Sequence, residues 1–180
     1  FIVHESIKDE FVTRLIEERL KTVKEGDLMD LETDFGVLIS EAAAKEVEQQ
    51  VRHTIGQGAK LVYGGVRRGA YYMPTVLDNC TKDMDICKNM EIFGPIFPIF
   101  TFQTLDEAIE IAETSDYGLS SGVITNDFQD AMKVAASLRT GMVAVNGSGG
   151  FRAQELPFGG GKKMSGNSRE CMSSVLEEVT

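Results

Sequence analysis

One carboxylate, Glu91, stands in the otherwise apolar, turn-forming run Glu91-Ile92-Phe93-Gly94-Pro95. A carboxylate can accept hydrogen bonds from vicinal hydroxyls, such as those of a ribose, and a nearby aromatic ring can support a planar group. Glu91 and Phe93 are therefore candidate contacts for such a ligand. The residues alone leave open the alternative of a solvated glutamate before a structural turn.

Glycine is concentrated between Gly147 and Gly166, where seven of the 18 glycines of the chain fall. A backbone with so little side-chain volume can pass close to another group. This segment follows a predicted buried strand, where open α/β sheets place ligand crevices. A P-loop is excluded, because Lys162 is followed by Lys163 and not by Ser or Thr. A glycine-rich surface connection is the alternative.

Arg152 is the one cation in the first half of this glycine-rich segment. The planar guanidinium suits a carboxylate or phosphate, so Arg152 is a candidate contact for an anionic substrate. The alternative is a solvated or structural arginine that pairs with Glu155 or with a neighbouring subunit.

The three cysteines, Cys80, Cys87 and Cys171, are an odd number without CxxC spacing. This pattern argues against a disulfide framework and a zinc site, and favours a reducing compartment such as the cytoplasm. Cys171 comes closest to a reactive thiol, since it lies near Arg169 and a predicted helix start. No histidine follows it, and we expect it not to act as a nucleophile.

Composition narrows the class of protein. The 180 residues suffice for one domain, 1–180, and carry a formal net charge of -10. An acidic surface repels phosphate backbones, which argues against a nucleic-acid partner, and no apolar run is long enough to cross a membrane. The chain opens on Phe1 rather than Met, and we expect both ends to be cuts in a longer protein.

Strands and helices alternate along the chain. Apolar runs predict strands at 1–3, 60–63, 96–102, 122–125 and 142–146, and 71–78 is expected to be extended but irregular. Helical periodicity and capping residues predict helices that follow Ser6, Ser40, Thr104 and Asn126, and one from Arg169. This order predicts an α/β fold with a parallel-type sheet layered by helices.

The ordered motifs resemble the downstream half of the aldehyde dehydrogenases, over essentially the whole chain. The matching residues are Phe1-Ile2-Val3-His4-Glu5-Ser6-Ile7 followed by Phe11, Phe35 to Ser40, Gly58 to Leu61, Gly64-Gly65, Pro74 to Leu77, Glu91 to Pro95, Tyr117 to Leu119, Gly141, Asn146, Pro157 to Gly160, Lys163, Ser165-Gly166 and Arg169-Glu170. Val37 replaces the proline that is usual in the family.

This resemblance implies the catalytic domain of an enzyme that oxidises an aldehyde to an acid through a cysteine thioester, with NAD or NADP as hydride acceptor. By position, Glu91 matches the glutamate that binds the nicotinamide ribose. Phe93 matches the aromatic residue that packs against the nicotinamide. Phe151, Arg152 and Phe158 fall in the segment that shapes the substrate pocket.

The departures from the family pattern limit what the chain does by itself. The catalytic cysteine and the general-base glutamate are expected upstream of Phe1, so we expect the isolated chain to be inactive and its parent to be a homo-oligomer, a dimer or tetramer. A non-catalytic binding or oligomerisation module, and a relative of the acyl-phosphate or acyl-CoA reductases, are the alternatives. The aldehyde, and the choice between NAD and NADP, stay open.

Overall fold

The computed structural model describes residues 1–153 and 155–180, without the side chains of Lys162 and Glu178. The chain falls into two compact units, Phe1–Thr104 and Leu105–Thr180. No helix within the described ranges is long and apolar enough to span a bilayer.

The first unit is built on a four-stranded sheet with the order β1-β6-β5-β2. The strand β6 runs parallel to both β1 and β5, and β2 is antiparallel to β5. The elements are β1 (Ile2–His4), α1 (Glu5–Arg14), a π-helical segment (Leu15–Leu20), α2 (Glu41–Gly56), β2 (Lys60–Tyr63), β3 (Arg67–Arg68), β4 (Tyr71–Tyr72), β5 (Thr75–Cys80), α3 (Asp85–Lys88) and β6 (Ile96–Phe102).

The core of this unit forms where α1 and the π-helical segment cover the sheet. Val76 and Ile99, from the two central strands, are fully buried together with Val3 and Leu20. Partly buried side chains from α1 and the π-helical segment pack against them, including Phe11 and Leu15. Burial of these aliphatic and aromatic groups is the main driving force that orders the sheet.

The helix α2 begins as the sequence predicts. The Ser40 hydroxyl accepts a hydrogen bond from the Ala43 amide at 3.1 Å, which satisfies one of the free N–H groups of the first turn. Its buried stripe is Ala44, Val47, Val51 and Thr54. Thr54 is fully buried, while the next residue, Ile55, lies at the surface.

The second unit contains a two-stranded parallel sheet and three short helices. Its elements are α4 (Leu105–Glu113), β7 (Tyr117–Gly118), β8 (Ser120–Val123), α5 (Phe128–Ser137), β9 (Met142–Val145), β10 (Phe158–Gly159), β11 (Lys162–Lys163), β12 (Arg169–Glu170) and α6 (Met172–Val179). The parallel pair is β8 and β9, while β7 pairs with β11 and β10 with β12 in antiparallel fashion.

The α/β fold with parallel strand pairs is confirmed. The stretch 71–78, predicted to be extended but irregular, contains β4 and most of β5, and the pairing of β5 with its neighbours shifts in register.

Other local predictions are wrong. The helix α1 begins at Glu5, before Ser6, and α6 begins at Met172 rather than at Arg169. The helix α5 is capped by Asp127, not by Asn126, because the Asp127 carboxylate accepts hydrogen bonds from two first-turn amides. The strand β9 is only partly buried.

Candidate functional site

The Glu91 segment, residues 91–95, is fixed on the helix α2 by its backbone. Gln50 Nε2 donates a hydrogen bond to the Glu91 carbonyl oxygen at 3.2 Å. Gly94 lies so close to the helix that an added Cβ would stand 2.9 Å from Val47 Cγ2. A larger residue at Gly94 would therefore push the segment away from the helix.

The functional groups of this segment stay open to solvent while its backbone is held. The Thr75 amide donates to the Pro95 carbonyl oxygen at 2.9 Å, which ties the segment to β5. The Glu91 carboxylate makes no hydrogen bond or ion pair with any residue that the structure describes, and the Phe93 side chain is 75% exposed. A free carboxylate two residues from an exposed ring on a rigid turn fits a ribose that carries a planar base.

The glycine-rich segment, residues 147–166, is held by close backbone approaches and two short strand pairs. An added Cβ on Gly141 would stand 2.2 Å from the Gly159 carbonyl oxygen, so only glycine fits at Gly141. In the β10–β12 pair, Phe158 lies opposite Glu170, and in the β11–β7 pair, Lys163 lies opposite Tyr117. Within the segment, Gly149, Gly159 and Gly161 also pass close to the backbone of the same unit.

Lys163 anchors the far end of this segment. Its Nζ donates to the carbonyl oxygens of Glu113 at 2.8 Å and Ser115 at 2.5 Å, and lies 3.6 Å from Glu113 Oε2. The Glu113 carboxylate also accepts hydrogen bonds from the backbone and side chain of Arg139. Burial acts to raise the pKa of Glu113, but these hydrogen bonds and the Lys163 charge outweigh it and leave the pKa lowered.

Arg152 packs over an aromatic ring and pairs with a carboxylate. Its guanidinium carbon lies 4.8 Å from the centroid of the Phe158 ring, a cation–π arrangement. Its Nη2 donates to Glu170 Oε2. The partner is thus Glu170, and the pairing with Glu155 considered from the sequence is wrong.

The structure brings some of the predicted site residues together. Arg152 contacts Phe158, while the neighbouring Phe151 ring is largely exposed. Glu91 and Phe93 share one segment of the first unit. The sequence indicates no structural role for Lys163 or Glu170, although both match the family pattern. Their partners lie too far along the chain for any local signal to indicate them.

The three thiols differ in pKa, because they differ in burial and in hydrogen bonding. Burial raises the pKa of Cys80 to about 11, and it also raises the pKa of Cys87. Cys171 differs, because hydrogen bonds with the hydroxyls of Ser173 and Ser174 lower its pKa to about 7. Its sulfur also accepts a hydrogen bond from the Ser174 amide and caps α6.

The histidines have other partners in the described part of the chain. His4 Nδ1 lies 2.8 Å from Ser6 Oγ, and His53 Nε2 lies 2.7 Å from Asp85 Oδ2. Among the described residues, Cys171 has serine groups as its hydrogen-bonding partners and no histidine or carboxylate that could serve as a general base. The described part of the chain thus gives Cys171 no partner of the kind that activates a nucleophilic cysteine.

Comparisons with known proteins match the whole chain. The model of the "Aldehyde dehydrogenase family" covers residues 1–180. A 3-sulfolactaldehyde dehydrogenase of Priestia aryabhattai is 42% identical over 178 residues, which are 99% of this chain and 37% of that protein. A lactaldehyde dehydrogenase of Methanococcus aeolicus is 38% identical over 99% of this chain and 38% of its own length.

A solved structure is equally similar. The glyceraldehyde-3-phosphate dehydrogenase GapN of Methanocaldococcus jannaschii, complexed with NADP, superposes with a TM-score of 0.92 at 39% identity, over 98% of this chain and 38% of that one. The chain thus spans a little over a third of the length of the relatives that it matches. From the match along its full length, this chain belongs to the aldehyde dehydrogenase family.

Proposed function

We propose that this chain is the part of an NAD(P)-dependent aldehyde dehydrogenase that holds the cofactor ribose and lines the substrate site. The observation that supports this best is the Glu91 segment, whose backbone is fixed on α2 while its carboxylate and ring stay open. Glu91 would accept hydrogen bonds from the ribose hydroxyls, and Phe93 would cover the nicotinamide ring. When bound, NAD or NADP supplies the hydride acceptor of the oxidation.

The names of the similar proteins suggest a substrate class. Lactaldehyde, 3-sulfolactaldehyde and glyceraldehyde 3-phosphate are all three-carbon 2-hydroxyaldehydes, which differ only in the group on the third carbon. We assign the substrate of the parent enzyme to this class. Arg152 supports the assignment, because its side chain is half exposed and its guanidinium can bind a sulfonate, phosphate or carboxylate.

The cofactor contact is tested by Glu91→Gln in the complete enzyme that contains this chain. The change keeps the shape and removes the charge, so the KM for the cofactor should rise about tenfold, since a hydrogen bond to a charged group contributes about 1.5–3 kcal/mol. Glu46→Gln, at an exposed glutamate on α2, is the matched control and should leave KM unchanged. Equal cofactor KM values in the two variants would reject the assignment.

The substrate contact is tested by Arg152→Ala. Loss of the guanidinium should raise the KM for 3-sulfolactaldehyde at least about tenfold and that for lactaldehyde much less, because only the first carries an anion for a charge-assisted bond. Arg14→Ala removes another exposed, glutamate-paired arginine and serves as the control. An equal rise in KM for both aldehydes would mean that Arg152 does not bind the anionic group.

We also propose that the parent enzyme is a cytoplasmic homo-oligomer, a dimer or tetramer. The helix α6 leaves large apolar side chains in solvent, with Met172 82% exposed, and such groups are usually covered by another surface. The three free cysteines suit a reducing compartment. A monomer of the parent enzyme in light scattering would contradict the oligomer.

A further inference from the structure

Arg152, Phe158 and Glu170 form a compact cluster at one end of the β10–β12 pair, called here the arginine cluster. The register places Phe158 opposite Glu170, and directly opposed residues in an antiparallel pair project their side chains to the same face. The Arg152 guanidinium lies over the Phe158 ring and donates through Nη2 to Glu170 Oε2. One cation, one anion and one ring thus share a small volume.

Part of the guanidinium remains free to bind something else. Arginine has five N–H donors, and the only partner of this side chain among the described residues engages Nη2. The Arg152 side chain is 50% exposed. An anion can therefore approach the remaining N–H groups while Glu170 keeps its own hydrogen bond.

The charge of the cluster sets how strongly it attracts that anion. Arg152 contributes one positive charge and Glu170 one negative charge, so their sum is close to zero. A ligand sulfonate near Arg152 is attracted by the guanidinium and repelled by the neighbouring carboxylate. The ring of Phe158 supports the guanidinium from one face and leaves this balance unchanged.

We propose that Glu170 is a specificity-determining residue that offsets the charge of Arg152, so that the site accepts both neutral and anionic 2-hydroxyaldehydes. This inference rests on the proposed function, because it requires Arg152 to face the substrate. Without the carboxylate, the guanidinium would favour anionic aldehydes more strongly. Glu170 thus offsets the attraction of Arg152 for an anion and reduces the difference in KM between anionic and neutral substrates.

The experiment compares lactaldehyde with 3-sulfolactaldehyde, a pair that differs by one sulfonate, in Glu170→Gln of the complete enzyme. The glutamine oxygen can still accept the Nη2 hydrogen bond, while the charge is removed. The ratio of KM for 3-sulfolactaldehyde to KM for lactaldehyde should fall about three- to fivefold, the size expected for a partly exposed charge pair. This decrease in the KM ratio should become smaller as salt is added, because screening weakens the repulsion between Glu170 and the sulfonate.

A second measurement serves if the variant turns over slowly. The dissociation constants of 3-sulfolactate and lactate, measured by calorimetry, give the same comparison without catalysis. Glu170→Gln should again favour the sulfonated compound by about three- to fivefold. In an Arg152→Ala background the same change should shift the ratio less, since the cation that holds the sulfonate beside Glu170 is gone.

The outcomes separate this inference from the proposed function. Suppose that Arg152→Ala raises the KM for the anionic aldehyde selectively, but Glu170→Gln leaves the KM ratio unchanged or raises it. The offset role of Glu170 is then wrong, while Arg152 still binds the anionic group. If Arg152→Ala weakens both aldehydes equally, the substrate contact itself is wrong. A melting temperature for each variant verifies that it is folded.

Discussion

The serine hydroxyls beside Cys171 make its thiol unlike the other two in the chain. An ordinary cysteine is mostly protonated at neutral pH, whereas the pKa of Cys171, about 7, leaves roughly half of it as thiolate there. Cys80, with a pKa raised to about 11 by burial, is almost fully protonated at the same pH. Reactivity toward alkylating reagents should follow this order.

We expect iodoacetamide at pH 7 to modify Cys171 first, with Cys80 and Cys87 protected in the folded protein. Because the pKa of Cys171 is lowered, its rate should rise as the pH passes upward through about 7 and then level off. Peptide mass spectrometry of samples labelled between pH 5 and 9 measures each site separately.

A control variant tests the cause of this shift. Ser173→Ala removes the hydroxyl that lowers the pKa of Cys171 most, so the midpoint of the labelling curve should move to higher pH. A midpoint near that of a free thiol in both proteins would show that the serines do not activate the sulfur.

For single residues, the sequence is a better guide to side chains that are exposed to solvent than to side chains that pair with each other. Glu91 and Phe93 are recognisable because a carboxylate and a ring flank a Gly-Pro turn. The pairing of Arg152 with Glu170 is not recognisable, because the two residues lie 18 apart in the chain and Glu170 is placed by the pairing of β12 with β10. Glu155 lies only three residues from Arg152 in the sequence, but the carboxylate that pairs with Arg152 is that of Glu170.

Among the elements, those with a clear period and a capping residue are predicted best. The strands β2 and β6 agree with the predicted ranges, and Ser40 caps α2 as expected. The strand β5 is predicted only as part of an irregular extended stretch, because its run Thr75–Cys80 contains Asp and Asn and follows Pro74, which are features of turns. Tertiary contacts override these preferences, since β5 is hydrogen-bonded to a strand on each side.

Lys163 is the element-scale contact whose loss should matter most for the glycine-rich segment. Lys163→Met keeps the length of the side chain and removes its hydrogen bonds to the carbonyls of Glu113 and Ser115. We expect cleavage by chymotrypsin after Phe151 to become at least about tenfold faster, because local opening is easier when hydrogen bonds to a charged group are lost.

The matched control is Lys133→Met in the same unit. Lys133 pairs with Asp106 on the surface, and exposed ion pairs contribute only about 0–1 kcal/mol. Cleavage after Phe151 should stay near the unmodified rate in this variant. If the two variants are cleaved equally fast, Lys163 does not hold the segment.

For the whole molecule, the described residues include the contacts proposed for a cofactor and a substrate but no complete set of reacting groups. We therefore expect the 180-residue chain, incubated with lactaldehyde and either NAD or NADP, to form no reduced cofactor above the rate without protein. Absorbance at the wavelength of the reduced nicotinamide measures this directly.

The decisive control replaces the one activated thiol. Cys171→Ser should behave as the unmodified chain does, because Cys171 has no histidine or carboxylate partner among the described residues. Turnover by the chain that disappears in Cys171→Ser would overturn this expectation and make Cys171 the nucleophile.

The contact between Gly141 and Gly159 has a practical consequence for protein engineering. Backbone touches backbone there, so a randomised library that includes position 141 would mostly yield unfolded products. The Phe151 ring, by contrast, is 60% exposed and the Arg152 side chain 50% exposed, in a segment that Lys163 secures downstream. If the proposed substrate contacts hold, a library aimed at new aldehydes should vary these two positions and keep Gly141 and Gly159 unchanged.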